Sequence, residues 1–182
     1  MSQRDFRSIQ SVSGPVQDFP ALTRVLSYHM RTTNKTSPAR NALLAIAVGG
    51  LIAGTVDLLQ ACILFGWDIP LAIAGGLLGP PAFHGGPAIY VLGVFLHFFI
   101  ACSAAAVYWA ASLRLRFLKD HPLVCGLFFG AAVELTMRLV VLPLSALHAR
   151  GPYQLHDLIQ GLLVHMVVVG LPISFSIRRF AK

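Results

Sequence analysis

Four long apolar stretches divide this 182-residue chain, and its positive charges are shared unequally among the segments between them. All but two of the 14 Lys and Arg residues lie before the first stretch, after the second or after the fourth. The exceptions are Arg150, which follows the third stretch, and Arg138, which lies within it. An excess of Lys and Arg on one side is typical of a multi-pass membrane protein, in which the positive side faces the cytoplasm. The pattern therefore predicts that both chain termini are cytoplasmic.

The composition supports four membrane spans. Hydrophobic residues make up 56% of the chain and charged residues 12%, which is too apolar for an ordinary soluble domain. A spanning helix needs about 20 apolar residues, so the chain has room for four in one membrane domain, residues 41–182. We place the spans at about 41–65, 88–112, 122–147 and 156–177. The predicted fold is an all-α integral membrane four-helix bundle made of two helical hairpins.

The basic residues outside the spans indicate the partners. The formal net charge is +7, and Lys and Arg beside spans attract anionic lipid headgroups. We therefore predict the lipid bilayer as a partner, and we predict no nucleic acid. In this interpretation residues 1–40 form a basic cytoplasmic tail and linker without a cleavable signal sequence. Whether translation starts at Met1 or at Met30 is left open.

The segment between the first two stretches is unusual in its glycine and proline content. Residues 67–87 hold five glycines and four prolines, and their apolar middle, LAIAGGLLG at 71–79, is too short and too rich in glycine to span. Backbone at membrane depth must be buried in protein, because its amide groups need hydrogen-bond partners. We expect an interfacial lid anchored by Trp67, and a re-entrant loop is the alternative.

Each apolar stretch carries at least one ionisable side chain. Charged groups inside a membrane are costly, so we expect them to face the bundle interior as one buried polar layer. Its predicted members are Asp57, His97, Glu134, Arg138 and His165. Glu134 and Arg138 are four residues apart on one helix face, which favours an ion pair. Asp57 is predicted to lie within hydrogen-bonding reach, directly or through water, of Arg138 or one of the two histidines.

The two hairpins share a faint repeat. In each hairpin a glycine precedes the acid of the first span by three or four residues, and a glycine precedes the histidine of the second span by four. Gly93 before His97 and Gly161 before His165 would leave space for a flat ring. The repeat predicts two halves related by an axis along the membrane normal. The alternative is that small residues simply let the helices approach closely.

His97 and His165 suggest a cofactor hypothesis. Two histidines at matched depth on different helices are suitable axial ligands of a haem. Together with Asp57 they also offer suitable ligand types for zinc. We nevertheless predict no cofactor and no metal, because a hydrogen-bonded histidine inside a polar bundle is the commoner case. The sequence lacks the motifs of serine hydrolases, nucleotide-binding loops and zinc peptidases, which favours a non-enzymatic protein.

Four strings within the spans are distinctive: GLIAGTVD at 50–57, LGVFLHFFIA at 92–101, VVLPLSAL at 140–147 and HMVVVGLPIS at 165–174. With them the chain resembles a family of small four-span bacterial inner-membrane proteins of unknown function, over nearly everything after residue 40. More remotely, it is similar to the YagU-like inner-membrane proteins linked to acid resistance. The resemblance implies a bacterial inner-membrane location and the four-span architecture, and it supplies no catalytic residue.

These observations lead to one functional prediction and two alternatives. We predict a non-enzymatic inner-membrane protein whose buried layer responds to protons in acid stress, because histidine changes charge near neutral pH. A haem held by His97 and His165 would instead make the chain an electron-transfer protein. The other alternative is a small transporter that acts as a homodimer, since four spans enclose little room for a transport pathway.

Overall fold

The computed structural model describes residues 37–152 and 154–181. Nearly all of the predicted basic tail, and both candidate start positions, lie outside this part of the chain. Within it the secondary structure is helical and contains no strand. The helices are α1 (Pro38–Phe65), α2 (Ile69–Leu78), α3 (Pro87–Arg114), α4 (Phe117–Asp120), α5 (Pro122–Leu144) and α6 (Leu155–Phe180), with a short 3-10 helix at Pro80–His84.

Four of the described helices have the length and composition of membrane spans. α1 and α3 have 28 residues each, α5 has 23 and α6 has 26. At 1.5 Å per residue even α5 extends about 34 Å, which exceeds the roughly 30 Å of a bilayer's hydrocarbon core. The chain is thus a multi-pass membrane protein with an all-α membrane domain, as predicted. The helix ends fall within about one turn of the predicted stretches.

Proline and glycine set most of the helix ends. A proline stands in the first turn of α1, α2, α3 and α5, where its missing N–H costs no hydrogen bond. Gly66, whose φ is 101°, directly follows α1, and Gly79, whose φ is 81°, directly follows α2. Glycine adopts such left-handed conformations without strain. Glycine therefore terminates both α1 and α2.

α5 and α6 each contain a proline well beyond the first turn. A proline ring clashes with the carbonyl four residues earlier and has no N–H to donate, so a regular helix is disrupted there. Both helices widen into a π-helical segment before the proline: Met137–Val141 precedes Pro143, and His165–Gly170 precedes Pro172. Such segments are frequent at functional sites. Each of these two contains a member of the predicted polar layer.

The long helices approach one another through small residues. α1 packs against α3 and α6, and α5 packs against α6. Where α1 crosses α3, a Cβ on Gly50 would meet Cys102 at 2.8 Å. Where α5 crosses α6, a Cβ on Gly130 would overlap the carbonyl group of His165. Glycine at these crossings brings the backbones close enough for the polar side chains of neighbouring helices to meet.

The buried apolar core occupies one half of the bundle. We call the end that carries Pro38, Arg114, Pro122 and Phe180 the basic end, and the opposite end the loop end. Residues of α1, α3 and α6 form the core toward the basic end: Ala45, Ala53, Ala105, Tyr108, Val169, Ile173 and Ile177. The five ionisable side chains of the predicted polar layer lie at the centre of the spans or nearer the loop end. The interior of the bundle toward the basic end is therefore packed with apolar side chains.

The segment predicted as a lid forms α2 and packs on α3. Pro70 and Ala74 of α2 are buried. Gly93 of α3 makes this contact possible, because a Cβ there would overlap the carbonyl group of Pro70. After α5, the N–H of Ala146 donates to the carbonyl of Gly76 at 2.8 Å. α2 is therefore held between α3 and the chain that follows α5.

Candidate functional site

Glu134 is the centre of the polar layer. Its side chain is only 5% exposed, and a carboxylate at such a place is costly unless it has partners. Oε1 accepts a hydrogen bond from Nε of Arg138, and Oε2 lies 3.1 Å from Nδ1 of His165. Gly161 leaves the necessary space, because a Cβ there would overlap the carboxylate. The carboxylate is thus held between a permanent cation and a histidine.

Arg138 ties α5 to α6. In addition to its bond with Glu134, its Nη2 donates to the main-chain carbonyl of Asp157 at 2.8 Å, in the first turn of α6. The ion pair predicted from the spacing of Glu134 and Arg138 is therefore present. Sequence reasoning misses Asp157, because its contribution is a backbone oxygen that every residue type possesses.

His165 links Glu134 to the backbone of α6. Its Nδ1 lies 3.0 Å from the carbonyl of Gly161 and 3.1 Å from Oε2 of Glu134. A carbonyl can only accept, so we assign the hydrogen to Nδ1, and the lone pair of the neutral ring is then on Nε2.

Asp57 and His97 form a looser pair between α1 and α3. Nε2 of His97 donates to the carbonyl of Gly54 at 2.9 Å and lies 3.8 Å from Oδ2 of Asp57. The second distance is too long for a direct hydrogen bond, although a charge on the ring would still act across it. The two side chains are 15% and 16% exposed, so Asp57 faces the bundle interior. By the same reasoning as for His165, the lone pair of the neutral His97 ring is on Nδ1.

The two acid–histidine pairs repeat across the bundle. Asp57 and His97 join α1 to α3, and Glu134 and His165 join α5 to α6. In each pair the acid comes from the earlier helix and the histidine from the later one, which is the order of the faint sequence repeat. The repeat therefore places similar chemistry in both halves of the layer.

The glycines before the two histidines lie at contacts with neighbouring helices. The nearest atoms to a Cβ on Gly93 would belong to Pro70 of α2, and those nearest to a Cβ on Gly161 would belong to Glu134 and Arg138. These two glycines admit a carbonyl group and a carboxylate from neighbouring helices.

A polar cavity of about 300 Å³ lies between α1, α5 and α6. Its polar lining consists of Asp57, Gln60, Glu134, Arg138, Asp157, Gln160 and His165. Its lining also includes Phe65, the last residue of α1, so the cavity extends from the polar layer toward the loop end. The polar walls and the volume suit several water molecules.

A second cavity, of about 90 Å³, lies between the two acid–histidine pairs. Asp57 and His165 line both cavities, whereas His97 and Ile73 of α2 line only the smaller one. The smaller volume has room for a few water molecules. Asp57 and His165 are thus the side chains that the two cavities have in common.

The small cavity bears on the cofactor hypothesis. Ligand pockets usually have volumes of about 300 to 1,000 Å³. The cavity between His97 and His165 has a volume of only about 90 Å³, so the spans would have to move apart to admit a haem. Within residues 37–152 and 154–181, no group of three His, Cys, Asp or Glu residues lies close enough to hold a metal ion. That the protein holds no cofactor stays a prediction, haem binding stays the alternative, and an absorption spectrum distinguishes the two.

Comparison of the chain with protein-family models, curated proteins and solved structures finds no match. The function of the polar layer therefore has to follow from its own geometry. That geometry consists of two buried acid–histidine pairs, one permanent cation and two cavities that share Asp57 and His165.

Proposed function

We propose that this protein is a non-enzymatic, proton-responsive protein of the bacterial inner membrane. The observation that supports the proposal is the pairing of a buried carboxylate with a histidine in both halves of the bundle, beside a cavity that extends to one end. Histidine is the side chain that ordinarily changes charge between about pH 5 and pH 8. Buried acid–histidine pairs are therefore suited to report acidification in the physiological range.

Proton uptake strengthens both pairs. When Nε2 of His165 gains a proton, Nδ1 keeps its hydrogen, so Glu134 then lies between two cations. When Nδ1 of His97 gains a proton, the ring becomes a cation 3.8 Å from Asp57 and attracts it. Acid therefore draws α1 toward α3 and α5 toward α6, and the cavities between these helices change shape.

The contacts of α2 favour a re-entrant segment over the interfacial lid. Pro70 lies against Gly93 of α3, and Ile73 lines the small cavity together with both histidines. Backbone at this depth is tolerated where protein buries it. A change around the histidines therefore acts on α2, which begins two residues after Trp67.

The distribution of basic residues indicates from which side of the membrane protons reach the polar layer. If the basic end is cytoplasmic, as the excess of Lys and Arg indicates, the loop end faces outward. The cavity of about 300 Å³ then extends toward the outer side, and the apolar core separates the polar layer from the cytoplasm. The protons that reach the layer in this arrangement are external ones, which is the requirement for a response to environmental acid.

Acidification should change the fluorescence of Trp67. The chain has two tryptophans, so the Trp109→Phe variant makes Trp67 the single reporter. Between about pH 8 and pH 5 we expect its emission maximum and its quenching by iodide to change, because α2 moves with the acid–histidine pairs. Replacing both acids, Asp57→Asn with Glu134→Gln, should abolish that change. The measurement is steady-state emission of the purified protein in detergent, with size-exclusion chromatography to verify folding.

The exposed acid beside the reporter provides the control. Asp68 is adjacent to Trp67, so its own titration could alter the emission directly. The Asp68→Asn variant should keep the full pH response. Emission that is constant over the pH range, or a response that survives in the double acid variant, would contradict the proposal.

Transport and electron transfer have separate tests. A transporter in liposomes would carry protons or another ion at a pH-dependent rate, and cross-linking would reveal the homodimer it requires. A haem protein would show a Soret band that disappears when His97 or His165 is replaced. A colourless protein that leaves the ion permeability of liposomes unchanged, yet shows the Trp67 response, would support the proton-responsive function alone.

A further inference from the structure

An apolar groove lies between α3 and α5 in the basic half of the bundle. The two helices are joined by residues 115–121 and meet at the rings of Tyr108 and Phe129, whose centroids are 4.9 Å apart. Beside this contact the helices leave a groove of about 700 Å³. That volume lies in the range of pockets that bind small molecules, roughly 300 to 1,000 Å³. The groove is therefore large enough for a specific occupant.

The walls of the groove are apolar and open to the surroundings of the bundle. Val107, Phe117, Val124 and Phe128 line it and are each more than half exposed. The hydroxyl of Tyr108 donates to a main-chain carbonyl of the connecting segment at 2.9 Å, so this hydroxyl already has a hydrogen-bond partner. Such walls suit a hydrocarbon chain and offer little to a polar ligand.

Positive charge flanks the groove at the basic end. Arg114 and Arg116 are exposed beside the part of the connecting segment that lines the groove, and His121 belongs to the lining. The acid of this segment, Asp120, leaves a net positive charge in place. Basic clusters beside membrane spans attract anionic lipid headgroups. The groove thus joins an apolar wall to a cationic end.

We propose that this groove binds one anionic phospholipid of the bilayer, with an acyl chain along the apolar wall and the headgroup at Arg114 and Arg116. The positive charge of the two arginines favours an anionic headgroup, and the shape of the apolar groove favours an acyl chain. Residues 115–121 contribute to the lining, so they close the groove at the basic end. A helix of a second copy would have to continue past them, whereas a lipid ends at its headgroup. The site does not involve the polar layer, so either proposal can fail without the other.

Native mass spectrometry with phosphatidylglycerol and phosphatidylcholine of equal chain length tests the charge half of the proposal. We expect one phosphatidylglycerol per protein at concentrations where phosphatidylcholine does not bind. The Arg114→Gln, Arg116→Gln double variant should weaken phosphatidylglycerol binding about 25-fold, from about fivefold per charge. The matched control is Arg178→Gln with Arg179→Gln, which removes two charges at the basic end away from the groove lining and should change affinity far less.

Filling the groove tests the shape half. Ala111 lines the groove, and the neighbouring Ala110 is exposed outside its lining. Ala111→Trp should abolish phosphatidylglycerol binding, while Ala110→Trp should leave it intact. Equal affinity for the two lipids, or equal binding by the two tryptophan variants, would overturn the proposal. The proposal would also be overturned if the wild-type protein formed a dimer without bound lipid and Ala111→Trp dissociated that dimer. The occupant of the groove would then be a second copy of the chain. If Ala111→Trp does not fold, the arginine variants still decide.

Discussion

Replacing Gly130 with valine should unfold much of the membrane domain. A Cβ at this position would overlap the main-chain carbonyl of His165, and a backbone group of a packed helix cannot turn aside as a flexible side chain does. Overpacking usually costs about 1 to 3 kcal/mol, and we expect a loss of at least about 3 kcal/mol here because two backbones meet. The substitution would also push His165 away from Glu134. Unfolding of the purified protein by increasing SDS in mixed micelles measures the loss.

The same helix provides the control for the Gly130→Val variant. Ala132 is two residues further along α5 and is exposed on the outer surface of the bundle. Ala132→Val should change the free energy of unfolding by less than about 0.5 kcal/mol. Similar stability in the two valine variants would show that α5 and α6 do not cross at Gly130, and the geometry of the polar layer would then be wrong.

Replacing Arg138 with leucine should have the second large effect. The substitution leaves the buried carboxylate of Glu134 with His165 as its partner in the layer, and it removes the bond to the carbonyl of Asp157. Removing one partner of a buried ion pair typically costs about 3 to 5 kcal/mol. We expect a loss of that size near neutral pH, and a smaller one in acid, because protonated Glu134 or His165 removes the unpaired charge. The same unfolding assay at several pH values measures both.

A second substitution separates charge from packing. Adding Glu134→Gln to the Arg138→Leu variant removes the unpaired carboxylate, so the double variant should regain most of the lost stability. Arg150→Leu, at an exposed position near the loop end, should change stability by less than about 0.5 kcal/mol. If the double variant were as unstable as Arg138→Leu alone, the loss would come from packing and not from a buried charge.

The spans and one contact of the site follow from the sequence. Apolar length predicts the four long helices, because a bilayer demands about 20 such residues per span. The spacing of Glu134 and Arg138 predicts their ion pair, because residues four apart are neighbours on a helix. Depth and polarity also predict that Asp57 and both histidines face inward. These features depend on the spacing of residues along one helix and on the apolar surroundings of a membrane span, and both can be inferred directly from the sequence.

The arrangement between helices does not follow from the sequence alone. Arg138 and His165 lie in π-helical segments that precede Pro143 and Pro172, and regular helical periodicity does not predict these widened turns. The contact of Arg138 with the carbonyl of Asp157 involves backbone, which has no residue signature. The position of α2 depends on the fit of Pro70 to Gly93, and that fit appears only when the two segments are brought together.

The central claim is that the polar layer takes up protons, and ¹⁵N NMR of the histidine side chains tests it most directly. Protein with labelled histidine is titrated in detergent micelles from about pH 8 to about pH 5, and His97→Asn and His165→Asn identify the two signals. We predict that both signals move from the neutral to the cationic form in this range. Asp57→Asn should alter the titration of His97, and Glu134→Gln should alter that of His165. The account would be contradicted if both signals stayed in the neutral form throughout, or if replacing the paired acid left the titration of each histidine unchanged.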